Sequence, residues 1–181
     1  MYPCIFLVGL HGSGKTTLGR LLQSQHGWLH ISMGNLGRLA RSMRIPCEHS
    51  IRFMTALSKQ APGQALTVEV VAQLLSEIER LRQSRPVSVD GFPSDPSHAS
   101  LIPEKSTVMH IMVDELERET RLIRRAEETV RQWNPGQLSL RDQMLPSVLG
   151  ALPQVKHVHN MAEPSAVASE LHRLAFGATQ S

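Results

Sequence analysis

Gly9-Leu10-His11-Gly12-Ser13-Gly14-Lys15-Thr16 has the spacing G-x-x-x-x-G-K-[ST] and directly follows the apolar run Cys4-Ile5-Phe6-Leu7-Val8. The pattern predicts a phosphate-binding loop. Small residues let the backbone wrap a polyphosphate with its N–H groups inward, at the start of a helix whose dipole favours negative charge. Gly9, Gly12, Ser13, Gly14, Lys15, Thr16 and Thr17 then form the nucleotide-binding set, with Lys15 near the β- and γ-phosphates and the Thr16 hydroxyl facing Mg2+. Asp90 closes the short run Val87-Ser88-Val89 and falls at the carboxyl edge of a parallel sheet, where a carboxylate can hold Mg2+ through water or merely cap the next turn. Arg118, Arg121 and Arg125, at spacings of three and four, put three cations on one helix face. They repel one another unless an anion lies between them, and a transferring phosphoryl group is such an anion. Salt bridges to Glu115, Glu117, Glu119, Glu127 and Glu128 are the competing account.

These residues need a scaffold that brings strand ends together. The chain alternates apolar runs with stretches of helical spacing: a helix over about 15–25, a strand at Trp28-Leu29-His30-Ile31, and helices over 36–42 and 51–58. Thr67 caps a further helix carrying Val70, Val71, Leu74, Leu75, Ile78 and Leu81. Val87–Asp90 and Thr107–Val113 read as buried strands, followed by helices over 115–131 and 141–149, a strand over 155–159 and a closing helix from Pro164. The expectation is a three-layer α/β/α domain around a five-stranded parallel sheet.

Composition bounds the function classes. The 181 residues suit one domain with a real core, 1–181. Net charge is +3, from 19 Lys and Arg against 16 Asp and Glu, and the cations are nearly all Arg, a forked donor suited to phosphate oxygens. No run of five basic residues occurs and only 4% of residues are aromatic, so small anionic substrates fit better than nucleic acid. Cys4 and Cys47 lack metal-ligand spacing and indicate a reducing compartment. No apolar stretch approaches the roughly 20 residues that span a bilayer, and no secretory signal precedes the first strand. The expectation is a cytoplasmic monomer acting on a small-molecule nucleotide, with neither nucleic-acid nor membrane partner.

Three segments in order resemble the adenylate-kinase-like nucleoside monophosphate kinases over nearly the whole chain. Beside the phosphate loop stand His30-Ile31-Ser32-Met33-Gly34-Asn35-Leu36-Gly37-Arg38, similar to H-I-S-T-G-D-x-x-R, and Asp90-Gly91-Phe92-Pro93-Ser94, similar to D-G-F-P-R. Gly63–Thr67 and Thr120–Arg125 resemble two further family segments. The resemblance implies a P-loop NTPase fold with a small helical acceptor-binding insertion at 33–66 and a short lid at about 121–140. It implies transfer of the γ-phosphoryl of ATP to a nucleoside monophosphate, with Lys15, Asp90, Arg121 and Arg125 catalytic, Thr16 and Asp90 at Mg2+, and Ser32, Met33, Arg38, Leu66, Gly91 and His98 around the acceptor.

The departures fall on the acceptor side. Met33 and Asn35 replace the family's Thr and Asp, Ser94 replaces an acceptor-phosphate arginine, and His98 stands where the family reads the base with Gln. A lost bidentate arginine contact is worth about 1.5–3 kcal/mol in a dry site. Two alternatives therefore stand beside the nucleotide kinase: a nucleotide-binding regulatory or scaffold protein, and a kinase of a non-nucleotide small molecule of the shikimate or gluconate type.

Overall fold

In the computed structural model, residues 1–128 and 138–177 are described. Strands β1 (Cys4–Val8), β2 (Leu29–Ser32), β3 (Val87–Asp90), β4 (Ser106–Met112) and β5 (Lys156–His159) form one sheet in the order β2-β3-β1-β4-β5. Every pairing is parallel, so all strand carboxyl ends lie along one edge. Helices α1 (Lys15–His26), α2 (Met33–Arg41), α3 (Ile51–Lys59), α4 (Val68–Leu81), α5 (Glu115–Glu128), α6 (Leu140–Ala151) and α7 (Pro164–Gly177) link and flank the strands.

The two-residue period of β1 divides the interior into two cores. Cys4, Phe6 and Val8 face a cluster with Leu36, Phe53, Val70, Leu74, Ile78 and Val148, contributed by α2, α3, α4 and α6. Ile5 and Leu7 face Leu18, Leu22, Val167 and Leu171 from α1 and α7. The three-layer sandwich expected from the alternating pattern follows from a central strand that is fully buried on both faces.

Caps written in the sequence set several helix starts. The Thr67 hydroxyl accepts from Val70 N at 3.3 Å, Ser50 from Phe53 N at 3.3 Å and Ser139 from Asp142 N at 3.2 Å. The buried Glu77 carboxylate on α4 then fixes the entry to α3, lying 3.1 Å from His49 Nδ1 and accepting from Ser50 N at 3.0 Å.

Some boundaries differ from the sequence expectation. α2 begins at Met33, directly after β2, so Gly34 lies in its first turn and no separate turn precedes the helix. A 3-10 helix at Pro96–Leu101 was not anticipated, although Asp95, whose carboxylate accepts from Ser97 N at 2.9 Å, followed by Pro96 is a helix-start signal. The proposed lid turn Gln132-Trp133-Asn134-Pro135-Gly136 lies outside the described residues. Among the described residues, no helix is long and apolar enough to cross a membrane.

Gly19 shows how closely α1 approaches the sheet. A Cβ there would overlap the ring of His30, which is nearly buried on β2. Gly19→Ala is expected to cost about 1–3 kcal/mol through overpacking, measured by urea unfolding. Gly150→Ala on α6 meets open space and should instead stabilise by about 0.5–1 kcal/mol.

Candidate nucleotide and phosphoryl-acceptor site

The phosphate loop runs from the end of β1 into α1, with Gly9, Gly12 and Gly14 at φ of 147°, 86° and 92°. These are conformations that side-chain-bearing residues rarely take. Lys15 curls back over the loop: Nζ donates to Gly9 O at 2.7 Å, Leu10 O at 2.6 Å and Ser13 Oγ at 3.1 Å. Burial pulls its ammonium down to a pKa of about 8, against the opposing charges of Asp90 and Asp142.

Asp90 sits where register requires. The pairing Ser32↔Asp90 places the Ser32 hydroxyl to donate to Asp90 Oδ1 at 3.0 Å, and Thr16, in the first turn of α1, donates to Oδ2 at 2.7 Å. His30 Nε2 lies 3.2 Å from the same oxygen, close enough for charge attraction but not aligned as a hydrogen bond. Burial pushes the carboxyl pKa up, and His30, Thr16 and Ser32 more than offset this to hold it ionised. One carboxylate and two hydroxyls are hard oxygen donors of the kind Mg2+ takes beside phosphate oxygens, so the residues present fit that ion.

A second carboxylate clasps the loop from α6. His11 N donates to Asp142 Oδ1 at 2.8 Å, and His11 Nδ1 lies 2.9 Å from Oδ2, so this nitrogen carries the proton. The Ser139 hydroxyl donates to the same Oδ2 at 2.9 Å. Burial raises the Asp142 carboxyl, but these bonds win and bring it to about 2. The His11 backbone N–H and its ring, inside the loop, are thus both engaged by Asp142.

Around the loop opens a cleft of about 980 Å³. Gly9, Gly12, Gly14, Lys15, Thr16, Thr17, Ser32, Arg38, Asp90, Gly91, Arg121 and Arg125 all line it, whereas Ser13 is buried and supports Lys15. Arg118 packs over Gly12 and lies 3.6 Å from Glu115. Arg121 donates to Glu117 at 2.8 Å and to Asn160 O at 3.1 Å. The glutamates thus pair with part of the arginine face, as the competing account required, yet Arg118, Arg121, Arg124 and Arg125 still border the cleft. A smaller hollow of about 540 Å³ continues past Gly14 and Thr17 between Arg121, Arg124, Asn160 and Pro164.

Three expected acceptor residues are elsewhere. Met33 is buried against Gly91, because α2 starts immediately at the strand end and turns that side chain into the core. Leu66 also belongs to the core. His98 is buried, stacked on Phe92 with ring centroids 4.9 Å apart, and its Nδ1 accepts from Ser94 N at 3.2 Å. That ring holds the Phe92-Pro93-Ser94 turn, and none of the three lines the cleft.

Two residues escaped the sequence reading. Asn160, just past β5, donates from Nδ2 to Ser13 O at 2.8 Å and braces the loop; its position at a strand's carboxyl end was the available signal. Arg141, on the first turn of α6, faces the cleft beside Gly91, and nothing in its local spacing marks it.

Two pH effects follow. A polyphosphate favours charged Lys15, so above about pH 8 ATP binding should take up a proton and weaken by up to tenfold per pH unit, read by calorimetry in buffers of different ionisation enthalpy. Asp142, depressed to about 2, contributes roughly 2–3 kcal/mol above its unfolded pKa of about 3.9, and this is lost as pH falls toward 2. Asp142→Asn should therefore be destabilised by about 2 kcal/mol at pH 7, with the gap to wild type closing between about pH 4 and 2 in urea titrations.

The family model described as AAA domain matches residues 5–142. Adenylate kinase of Chlamydia muridarum (strain MoPn / Nigg) is 33% identical in an alignment of 110 positions that covers 55% of this chain and 43% of that protein. Adenylate kinase of Chlamydia trachomatis serovar L2 is 32% identical in an alignment of 110 positions that covers 55% and 44% of the two chains. The chain thus spans less than half the length of these curated relatives. Among solved structures, shikimate kinase from Acinetobacter baumannii in complex with shikimate aligns over 100% of this chain and 97% of its own, with TM-score 0.57 and 15% identity. A gluconokinase from Sinorhizobium meliloti 1021 aligns over 98% and 95%, with TM-score 0.51 and 20% identity; both likenesses concern the fold. The family match takes in the phosphate loop, Asp90 and Asp142, and the chain belongs to this P-loop family, as an adenylate-kinase-like member of it.

Proposed function

We propose that the protein transfers the γ-phosphoryl group of ATP to a nucleoside monophosphate. The observation that carries this reading is one continuous cleft lined by the phosphate loop, Lys15 and Thr16 together with Arg38, Asp90 and Gly91. Donor and acceptor phosphates held there would meet between Lys15 and the arginines of α5.

Each residue has a task that needs no covalent protein intermediate. The loop amides and Lys15 cradle the donor's phosphates, with Lys15 exchanging its carbonyl partners for phosphate oxygens. Thr16 and Asp90 would hold Mg2+, which when bound would supply positive charge against the donor's phosphates. Arg38, tethered by its hydrogen bond to Asn35 Oδ1, holds the acceptor, and Arg121 and Arg125 stabilise charge on the transferring group. An acceptor phosphate oxygen bonds to the γ-phosphorus as the bond to the β,γ-bridging oxygen breaks, and that oxygen's electrons leave with ADP. The smaller hollow beside Asn160 and Arg124 suits the donor's nucleoside.

A second reading is a kinase of a small non-nucleotide anion. Its support is the burial of Met33, Leu66 and His98, which leaves none of the three at the cleft to read a base, and the similarity in fold to a shikimate kinase and a gluconokinase.

Purified protein with ATP and Mg2+ should convert one member of a ribo- and deoxyribonucleoside monophosphate panel to its diphosphate, followed by chromatography, and Lys15→Ala should lose at least about a hundredfold in turnover. Turnover of shikimate or gluconate in place of every monophosphate would select the second reading, and undiminished turnover by Lys15→Ala would reject the site.

A further inference from the structure

We propose that His110 and His157 form a two-nitrogen binding site for a divalent transition-metal ion of the Zn2+ class, on a sheet face that phosphoryl transfer does not use.

Strand period and register bring the two rings together. Met109, Ile111 and Val158 face the core shared with α1 and α7, so the alternating residues His110 and Met112 on β4 and His157 and His159 on β5 share the opposite face. The parallel pairing sets His110 beside His157 and Met112 beside His159. Three imidazoles and a thioether thus occupy one patch at the sheet edge, because β5 is an outer strand. His157 and His159 are exposed and His110 is half-buried, which leaves the pair open to an ion from solvent.

The facing atoms have the separation that a metal needs. Nδ1 of His110 and Nδ1 of His157 stand 3.3 Å apart, with the ring planes at 70°. Two imidazole nitrogens that each bind Zn2+ at its usual distance, at a tetrahedral angle, lie about 3.3–3.4 Å apart. As neutral rings the pair shares one proton along this line, and the second Nδ1 is a bare acceptor. When both rings carry their proton on Nε2 instead, both Nδ1 lone pairs are available to one ion and no net proton is released. Burial, followed by the charges of His157 and Lys15, holds His110 below the ordinary imidazole pKa, so near pH 7 it is in the neutral form that ligates. Imidazole donors favour Zn2+, Cu2+ or Ni2+ over Mg2+ or Ca2+. Among the described residues no group of three or more His, Cys, Asp or Glu side chains is placed to hold a metal ion, so water completes the coordination of this pair.

An ion here would cross-link the ends of β4 and β5. Asn160 follows directly, donating from its backbone N to Met112 O at 2.7 Å and from Nδ2 to Ser13 O at 2.8 Å. The clamp therefore falls on the strand end that braces the phosphate loop.

The test needs no turnover, so it stands or falls apart from the kinase reading. Full-length, nucleotide-free protein stripped with EDTA is titrated with Zn2+ against a chromophoric chelator, in excess Mg2+ that fills hard oxygen sites such as the one at Asp90. One Zn2+ should bind per chain and raise Tm by roughly 5–10 °C at a hundredfold excess over Kd. His110→Gln and His157→Gln should each weaken Zn2+ at least about tenfold, whereas His159→Gln should change it by less than about threefold. His157→Gln, at an exposed position, should keep the metal-free urea midpoint of wild type, which separates a lost ligand from a lost fold. Wild type that binds no Zn2+, binding that survives His157→Gln, displacement by Mg2+, or an equal loss in His159→Gln overturns the proposal.

Discussion

A buried carboxylate governs the geometry of this protein. Asp90 lies at the end of β3 with 6% of its surface exposed, and an ion so placed costs several kcal/mol unless its neighbours compensate. Compensation comes from three elements: the Thr16 hydroxyl on α1, the Ser32 hydroxyl on β2 and the His30 ring beneath. Each imposes a condition. Thr16 reaches Asp90 only if the loop glycines turn the chain sharply into α1. Ser32 reaches it only in the observed β2–β3 register, and His30 fits only because Gly19 carries no side chain. Since α2 begins at the residue after Ser32, the same charge also fixes where the acceptor side starts.

Asp142 plays the matching part across the phosphate loop. The two carboxylates are accompanied along the cleft by Lys15 and by arginines from α1, α2, α5 and α6, an excess of positive charge in a partly dry space. Glu115 and Glu117 on α5 relieve some of it. This is the field that a polyphosphate enters, and such fields act on charged ligands more strongly where water is excluded.

The features legible in the sequence are those written locally. The phosphate loop, the five strands, the cap at Thr67 and the carboxyl-edge position of Asp90 each depend on a few consecutive residues and their period. The acceptor side was read less well because it is set by long-range packing. His98 occupies a position where a motif suggests base recognition, yet its ring is engaged by Phe92 and Ser94 N. Met33 belongs to the core because the helix starts at Met33 and not at residue 36, where the spacing placed it. Arg141 and Asn160 carry no local pattern at all and reach the site only through the order of strands and the docking of α6.

On the donor side the charged and loop groups already have partners: Lys15 Nζ has three acceptors, and the His11 N–H has a carboxylate. Binding there is an exchange of one set of bonds for another, so the net gain comes from charge and favours a polyanion over a neutral ligand.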